Sequence, residues 1–188
     1  MIHFRLGDIA TALEFYLKSL KIFEGTGNRQ GQAANLNNIA AIYTEQQKFD
    51  EARGCLIRAE GIVRERGGKN LLRKIYLSLG ELEMAGVLGD GPRSKVLEYA
   101  DQALVLAGEL KSKAGQAEAL LLQARIGKSR NKFKEAIAIF EELKQPMETA
   151  KAHYYYGRVM SIKDAVDRAR NIFEKLGAKG WLARTKAV

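Results

Sequence analysis

AANLNNIAAIYTEQQKFDEARGCLIRA, residues 33–59, reads as two amphipathic helices and the turn that joins them. In the first half, Leu36, Ile39, Ala40 and Tyr43 recur at spacings of 3, 1 and 3. In the second half and just beyond it, Ala52, Leu56, Ala59 and Val63 recur at 4, 3 and 4. An apolar stripe that returns once per helical turn marks a helix with one side toward a core. Gln46, Gln47 and Lys48 interrupt the stripe where the chain reverses. The small residues have a physical purpose. Two antiparallel helices approach closely only where side chains are small, and a large neighbour fills the space beside each.

The same arrangement recurs along the chain, and a repeat of this length points to stacked supersecondary units. Five segments open on a small residue and continue as an aromatic-aliphatic stripe. They start at Ala12, Ala52, Val96, Ala136 and Ala169, which lie 40, 44, 40 and 33 residues apart. The 44 contains an insertion, GDGPR at 89–93, and the 33 contains a tight connection, KQPM at 144–147. Helical windows at 30–46, 70–88, 114–130 and 147–162 fall between these segments. Turn signals separate them: GTGN at 25–28, GG at 67–68 and GDGP at 89–92. Glycine allows the left-handed helix end, and Asn, Asp and Pro start turns. No useful length alternates with period 2, so the expected class is all-α.

This pattern resembles the tetratricopeptide repeat. The family alternates bulky, small and aromatic positions, met here by Leu36, Ile39 with Ala40, Tyr43, Phe49, Ala52, Leu56 and Ala59 without a gap. Further units keep Leu6 to Ile9 with Ala12; Leu79 and Gly80 with Tyr99 and Ala103; Phe133, Ala136 and Phe140; and Tyr156 and Gly157 with Ala169 and Phe173. Two places depart from the pattern. Gly127 stands where an aromatic is usual, and the turn at 161–165 lacks the usual glycine and aromatic. The period of about 40 is similar to the extended variant common in bacterial signalling proteins. The ending IFEKLGAKGWLARTKA is similar to the tail of such regulatory modules.

The resemblance implies an α–α superhelix, a solenoid of antiparallel helix pairs with a C-terminal capping helix. Its expected divisions are a partial repeat at 1–28, repeats at 29–68, 69–112, 113–145 and 146–177, and a cap at 178–188. In the cap, Trp181, Thr185 and Val188 recur with Leu182 beside them, and Trp181 is expected against Phe173 or Leu176. A solenoid leaves the apolar face of its last unit open unless something covers it. At the other end, only residues 1–6 precede Gly7, where a first helix of about 15 residues is expected. The face of helix 8–24 bearing Leu13, Tyr16, Leu17 and Leu20 is then expected to lack a partner and to favour self-association.

The 188-residue chain carries a net charge of +9, unevenly placed. Residues 1–94 hold 13 Lys and Arg against 11 Asp and Glu, whereas residues 95–188 hold 18 against 11. A basic half favours an acidic partner. The single cysteine, Cys55, sits on an apolar helix face and reads as a small buried hydrophobe. With only His3 and His153 beside it, no ordinary zinc site is expected. No phosphate-binding loop, dinucleotide fingerprint, nucleophile elbow or HExxH motif occurs. No enzyme activity and no cofactor are therefore expected. The opening MIHFRLGDIA lacks the character of a signal peptide, and no apolar run approaches a membrane span. A cytoplasmic, membrane-free protein is the expectation.

In the family that the chain resembles, the first helix of each unit lines a concave groove. Carried over position by position, the groove residues are Asn37, Asn38 and Ala41, then Lys74, Ser78 and Glu81, then Glu118, Leu121 and Arg125, then Lys151, Tyr154, Tyr155 and Arg158. Asn both donates and accepts, so it pairs with the backbone of an extended peptide. Arg and Lys clamp carboxylates, and Tyr offers rigid area with a polar tip. The first function expected is a non-catalytic scaffold that binds a protein or peptide, net acidic. The second is an RNA- or anion-binding repeat using the basic half, where Arg125, Lys128, Arg130, Lys132 and Lys134 crowd a turn. The third is an oligomerisation element.

Overall fold

The computed structural model describes residues 6–86 and 93–186, all helices and short turns. The helices are α1 (Leu6–Gly25), α2 (Arg29–Glu45), α3 (Phe49–Arg66), α4 (Lys69–Gly86), α5 (Arg93–Glu109), α6 (Lys113–Gly127), α7 (Arg130–Glu142), α8 (Pro146–Met160), α9 (Lys163–Lys175) and α10 (Lys179–Thr185). The expected all-α class is observed. Residues 1–5, 87–92, 187 and 188 lie outside the described residues, and with them the insertion at 89–93 except Arg93.

Local chemistry sets the helix ends. The Oδ1 of Asn28 accepts from the Gly31 amide at 2.9 Å and opens α2. Ser112 and Ser129 do the same for α6 and α7, accepting from the amides of Gly115 and Lys132. Each such cap satisfies one of the amides that a helix start leaves unpaired. Pro146 occupies the first turn of α8, where its missing N–H costs nothing. Gly67 closes α3 at φ 78°, in the left-handed region.

The helices gather into two compact units, residues 2–110 and 111–188. In the first, α2 pairs with α3 and α4 with α5, while α1 packs on α2. The first helices of successive pairs also touch, α2 against α4. In the second, α6 pairs with α7 and α8 with α9, α6 touches α8, and α10 lies on α9. Alanines make these approaches: Ala33, Ala52, Ala59 and Ala100 in the first unit and Ala119, Ala136, Ala150 and Ala169 in the second have no exposed surface. Gly157 marks the tightest approach. A Cβ there would lie 2.5 Å from Val166 Cγ2 and 2.8 Å from the Ile162 carbonyl oxygen.

The face of α1 differs from the sequence expectation. Leu20 is buried, and Leu13 and Tyr16 are half-buried, because α1 turns this side to α2. Asn35 and Gln32 of α2 fasten the contact by donating to the carbonyls of Tyr16 and Phe23. The open side bears Phe15, 67% exposed, and Ile22, 64% exposed, while Leu17, at the edge of the side toward α2, is 45% exposed. Ile62, 40 residues after Ile22, is 8% exposed.

Candidate functional site

Six aromatic and cationic side chains from α6, α8 and α10 meet in the second unit. Trp181 of α10 is buried at the centre. Its ring stacks on Phe173 of α9, with 5.3 Å between centroids and 15° between planes. Tyr154 and Tyr155 of α8 present edges to it at 5.6 and 6.0 Å. The small residues Ala150, Ala169 and Ala178 let these rings close together. The Thr185 backbone carbonyl accepts from Arg170 of α9 at 3.1 Å, and this bond helps hold α10 on α9.

Cations surround this aromatic block. The Arg125 guanidinium of α6 lies 3.9 Å from the Tyr155 centroid. Arg184 and Lys151 approach the Trp181 ring at 4.8 and 5.9 Å. The π face attracts a cation, more strongly where water is excluded. Arg125 and Tyr155, 30 residues apart, thus share one contact across α6 and α8.

The other residues named from sequence occupy varied settings. Tyr154 is half-buried, as Tyr155 is, and Arg158 is exposed one turn further along α8. Lys151 is 8% exposed and its Nζ donates to Glu148 at 2.7 Å, which turns the charge inward. Leu121 is buried in the core of the second unit. In the first unit, Asn37 and Asn38 of α2 are half-buried, as are Ser78 and Glu81 of α4, and Lys74 is exposed. The sequence reading put Arg125, Lys151, Tyr154 and Tyr155 on one face and Trp181 against Phe173 or Leu176, but did not join the two sets, because Trp181 lies on a separate helix.

Elsewhere, His153 of α8 is buried, with its Nε2 3.7 Å from a Glu141 oxygen of α7. Burial lowers its pKa, and the nearby Glu141 only partly opposes this. Burial also raises the Cys55 thiol, so its thiolate is scarce at neutral pH. Among the described residues, no group of three His, Cys, Asp or Glu is placed to hold a metal ion. None of the described helices is long and apolar enough to cross a membrane.

Residues 1–65 match the family model described as tetratricopeptide repeat. Over residues 1–65 the chain is thus similar to tetratricopeptide repeats. Over 75 residues it is 39% identical to the 43 kDa receptor-associated protein of the synapse from Tetronarce californica. That match takes in 40% of this chain and 18% of the other protein, so the chain spans less than a fifth of that relative. The fold is similar to the crystal structure of BtubC (BKLC) from P. vanneervenii, with a TM-score of 0.62 and 19% identity. The likeness covers 88% of this chain and 71% of that one, and at this identity it speaks for the fold alone. Tetratricopeptide repeats generally mediate protein–protein interactions and are typically non-catalytic.

Proposed function

We propose that this chain is a non-catalytic tetratricopeptide repeat scaffold that binds an acidic segment of a partner protein on the α6–α8 face of its second unit. The observation that carries the reading is the Arg125–Tyr155 contact. Two residues that the repeat register assigns to the binding face come from different helices and meet at 3.9 Å. A ring held from behind by Trp181 is a rigid platform, so ordering it costs a partner little entropy. Tyr and Arg are also the residue types that dominate interface energetics. Arg158, exposed one turn along α8, extends the positive character of this face toward a carboxylate. Asn37 and Asn38 of α2, with Lys74, Ser78 and Glu81 of α4, are the corresponding proposal for the first unit. A soluble cytoplasmic setting fits this role.

Selection of a displayed peptide library on the purified chain tests the reading. Enriched peptides should be acidic and should lose at least tenfold in affinity for Arg158→Glu and for Tyr155→Ala. Peptides that bind both variants as tightly as the parent chain would remove the α6–α8 face from consideration.

Self-association is a second reading, favoured by the exposed Phe15 and Ile22 of α1. Large apolar side chains grouped on one helix face tend to be covered in use. Sedimentation velocity should then show a coefficient that rises with concentration and stops rising in Phe15→Ser/Ile22→Ser. A constant coefficient in the parent chain rules it out.

A further inference from the structure

The second unit has two ends, and charge divides between them. Because α6, α7, α8 and α9 alternate in direction, the α6–α7 and α8–α9 turns lie at one end and the α7–α8 and α9–α10 turns at the other. Residues 125–134, at the first end, contain five cations and no carboxylate. Residues 141–148, at the second, contain three carboxylates and one lysine. The α8–α9 turn adds exposed Lys163 and Asp164 to the first end, which offset each other, and the α9–α10 turn adds Glu174, Lys175 and Lys179 to the second, so the excess of positive charge at the first end comes from the α6–α7 turn.

Two of the five cations in 125–134 are engaged within the unit. Arg125 lies on Tyr155, and the Lys132 Nζ donates to the Gln123 Oε1 at 2.6 Å. Lys128, Arg130 and Lys134 are exposed, and no carboxylate among the described residues forms an ion pair with any of them. Three cations elsewhere in the unit are paired, Lys113 with Glu142, Lys151 with Glu148 and Arg170 with Asp167. Lys144, Lys175 and Lys179 at the opposite end form no ion pair among the described residues, but they share that end with Glu174 and the carboxylates of 141–148. Clustered like charges repel, and an anionic partner relieves that repulsion while gaining a steered encounter.

We infer that the α6–α7 hairpin tip, through Lys128, Arg130 and Lys134, is a second docking surface that takes an acidic polypeptide segment. It is separate from the α6–α8 face and goes beyond the function proposed for that face. The partner's chemistry follows from what surrounds the cations. Phe133, the one aromatic in this stretch, has no exposed surface and packs against Tyr156 at 5.3 Å, so a nucleobase finds no ring to stack on. No large hydrophobic of 125–134 is exposed either, so nothing is available to insert into a bilayer. Charge alone is on offer, and a run of carboxylates matches it.

Fluorescence anisotropy on the full chain decides the matter, with two probes: a labelled (Glu-Asp)6 peptide and a labelled twelve-nucleotide oligouridine. The variant Lys128→Glu/Arg130→Glu/Lys134→Glu should bind the peptide at least tenfold more weakly at low salt. The variant Lys144→Glu/Lys175→Glu/Lys179→Glu makes the same change of net charge at the opposite end and should lose less than twofold. Affinity that remains in the first triple variant and is lost when Tyr155→Ala is added reports the α6–α8 face, which separates the two surfaces. Equal losses in the two triple variants would show a bulk charge effect and overturn the assignment. Oligouridine binding as tight as the peptide's would overturn it in favour of nucleic acid. If circular dichroism shows the first triple variant unfolded, Lys128→Gln/Arg130→Gln/Lys134→Gln takes its place with the same expected direction.

Discussion

Trp181 lies flat on Phe173, with 5.3 Å between ring centroids and 15° between ring planes. This stack joins α10 to α9, and through Trp181 it also backs Tyr154 and Tyr155. Helix α10 therefore both covers part of α9 and supports the aromatic face of the second unit. Trp181→Ala should cost about 3–5 kcal/mol, the usual range for emptying a large aromatic site. Trp181→Phe should cost clearly less. Urea unfolding followed by circular dichroism measures both, and equal losses would show that ring stacking matters little here.

Two glycines in helices should respond in opposite directions. Gly157 faces Val166 and the Ile162 carbonyl so closely that an added methyl must displace backbone. Gly157→Ala should destabilise by about 1–3 kcal/mol through overpacking. Gly61, exposed in the interior of α3, has nothing within 4 Å of a built Cβ. Gly61→Ala should stabilise by about 1 kcal/mol, the difference in helix propensity. Thermal melts of the two variants should move to opposite sides of the parent value.

His153 makes stability depend on pH in a defined direction. Burial holds its folded pKa below the ordinary 6.5, with Glu141 of α7 partly opposing and Arg168 of α9 assisting. Below pH 6.5 the unfolded chain takes up a proton that the folded chain resists, so folding loses stability as pH falls from 6.5 toward the folded value. Above 6.5 both states are neutral and this contribution is fully present. His153→Gln should flatten the fall of the urea midpoint between pH 7.5 and pH 5. An unchanged slope in that variant would exclude His153 as its source.

The Arg53–Glu83 pair joins α3 to α4, and its carboxylate side chain is only 6% exposed. Its hydrogen bond to Glu83 raises the Arg53 pKa, a sign that the charged pair is favoured in the fold. Removing one partner leaves a buried charge alone, which is more damaging than removing both. Arg53→Met should cost about 2–3 kcal/mol, discounted because the arginine is partly exposed. The double variant Arg53→Met/Glu83→Met should recover most of that loss. A double-mutant cycle showing simple additivity would mean that the two side chains are not coupled.

The sequence alone determined the helices, their pairing and the tight contacts. Leu36, Ile39 and Tyr43 mark a face within a single helix, and Ala52 and Ala59 mark where a neighbour approaches. Both signals are local, since helical period and side-chain size are read over a few residues. The binding-face candidates were legible only by register. Packing then decided which of them reach solvent: Leu121 entered the core, Lys151 turned to Glu148, and Arg125 came to rest on Tyr155. The open face of α1 was likewise settled by α2, which took Leu20 and left Phe15 and Ile22 outside. The reason is common to these cases. A helix wheel shows which side chains point the same way, but burial and contact depend on neighbouring helices that the wheel does not include.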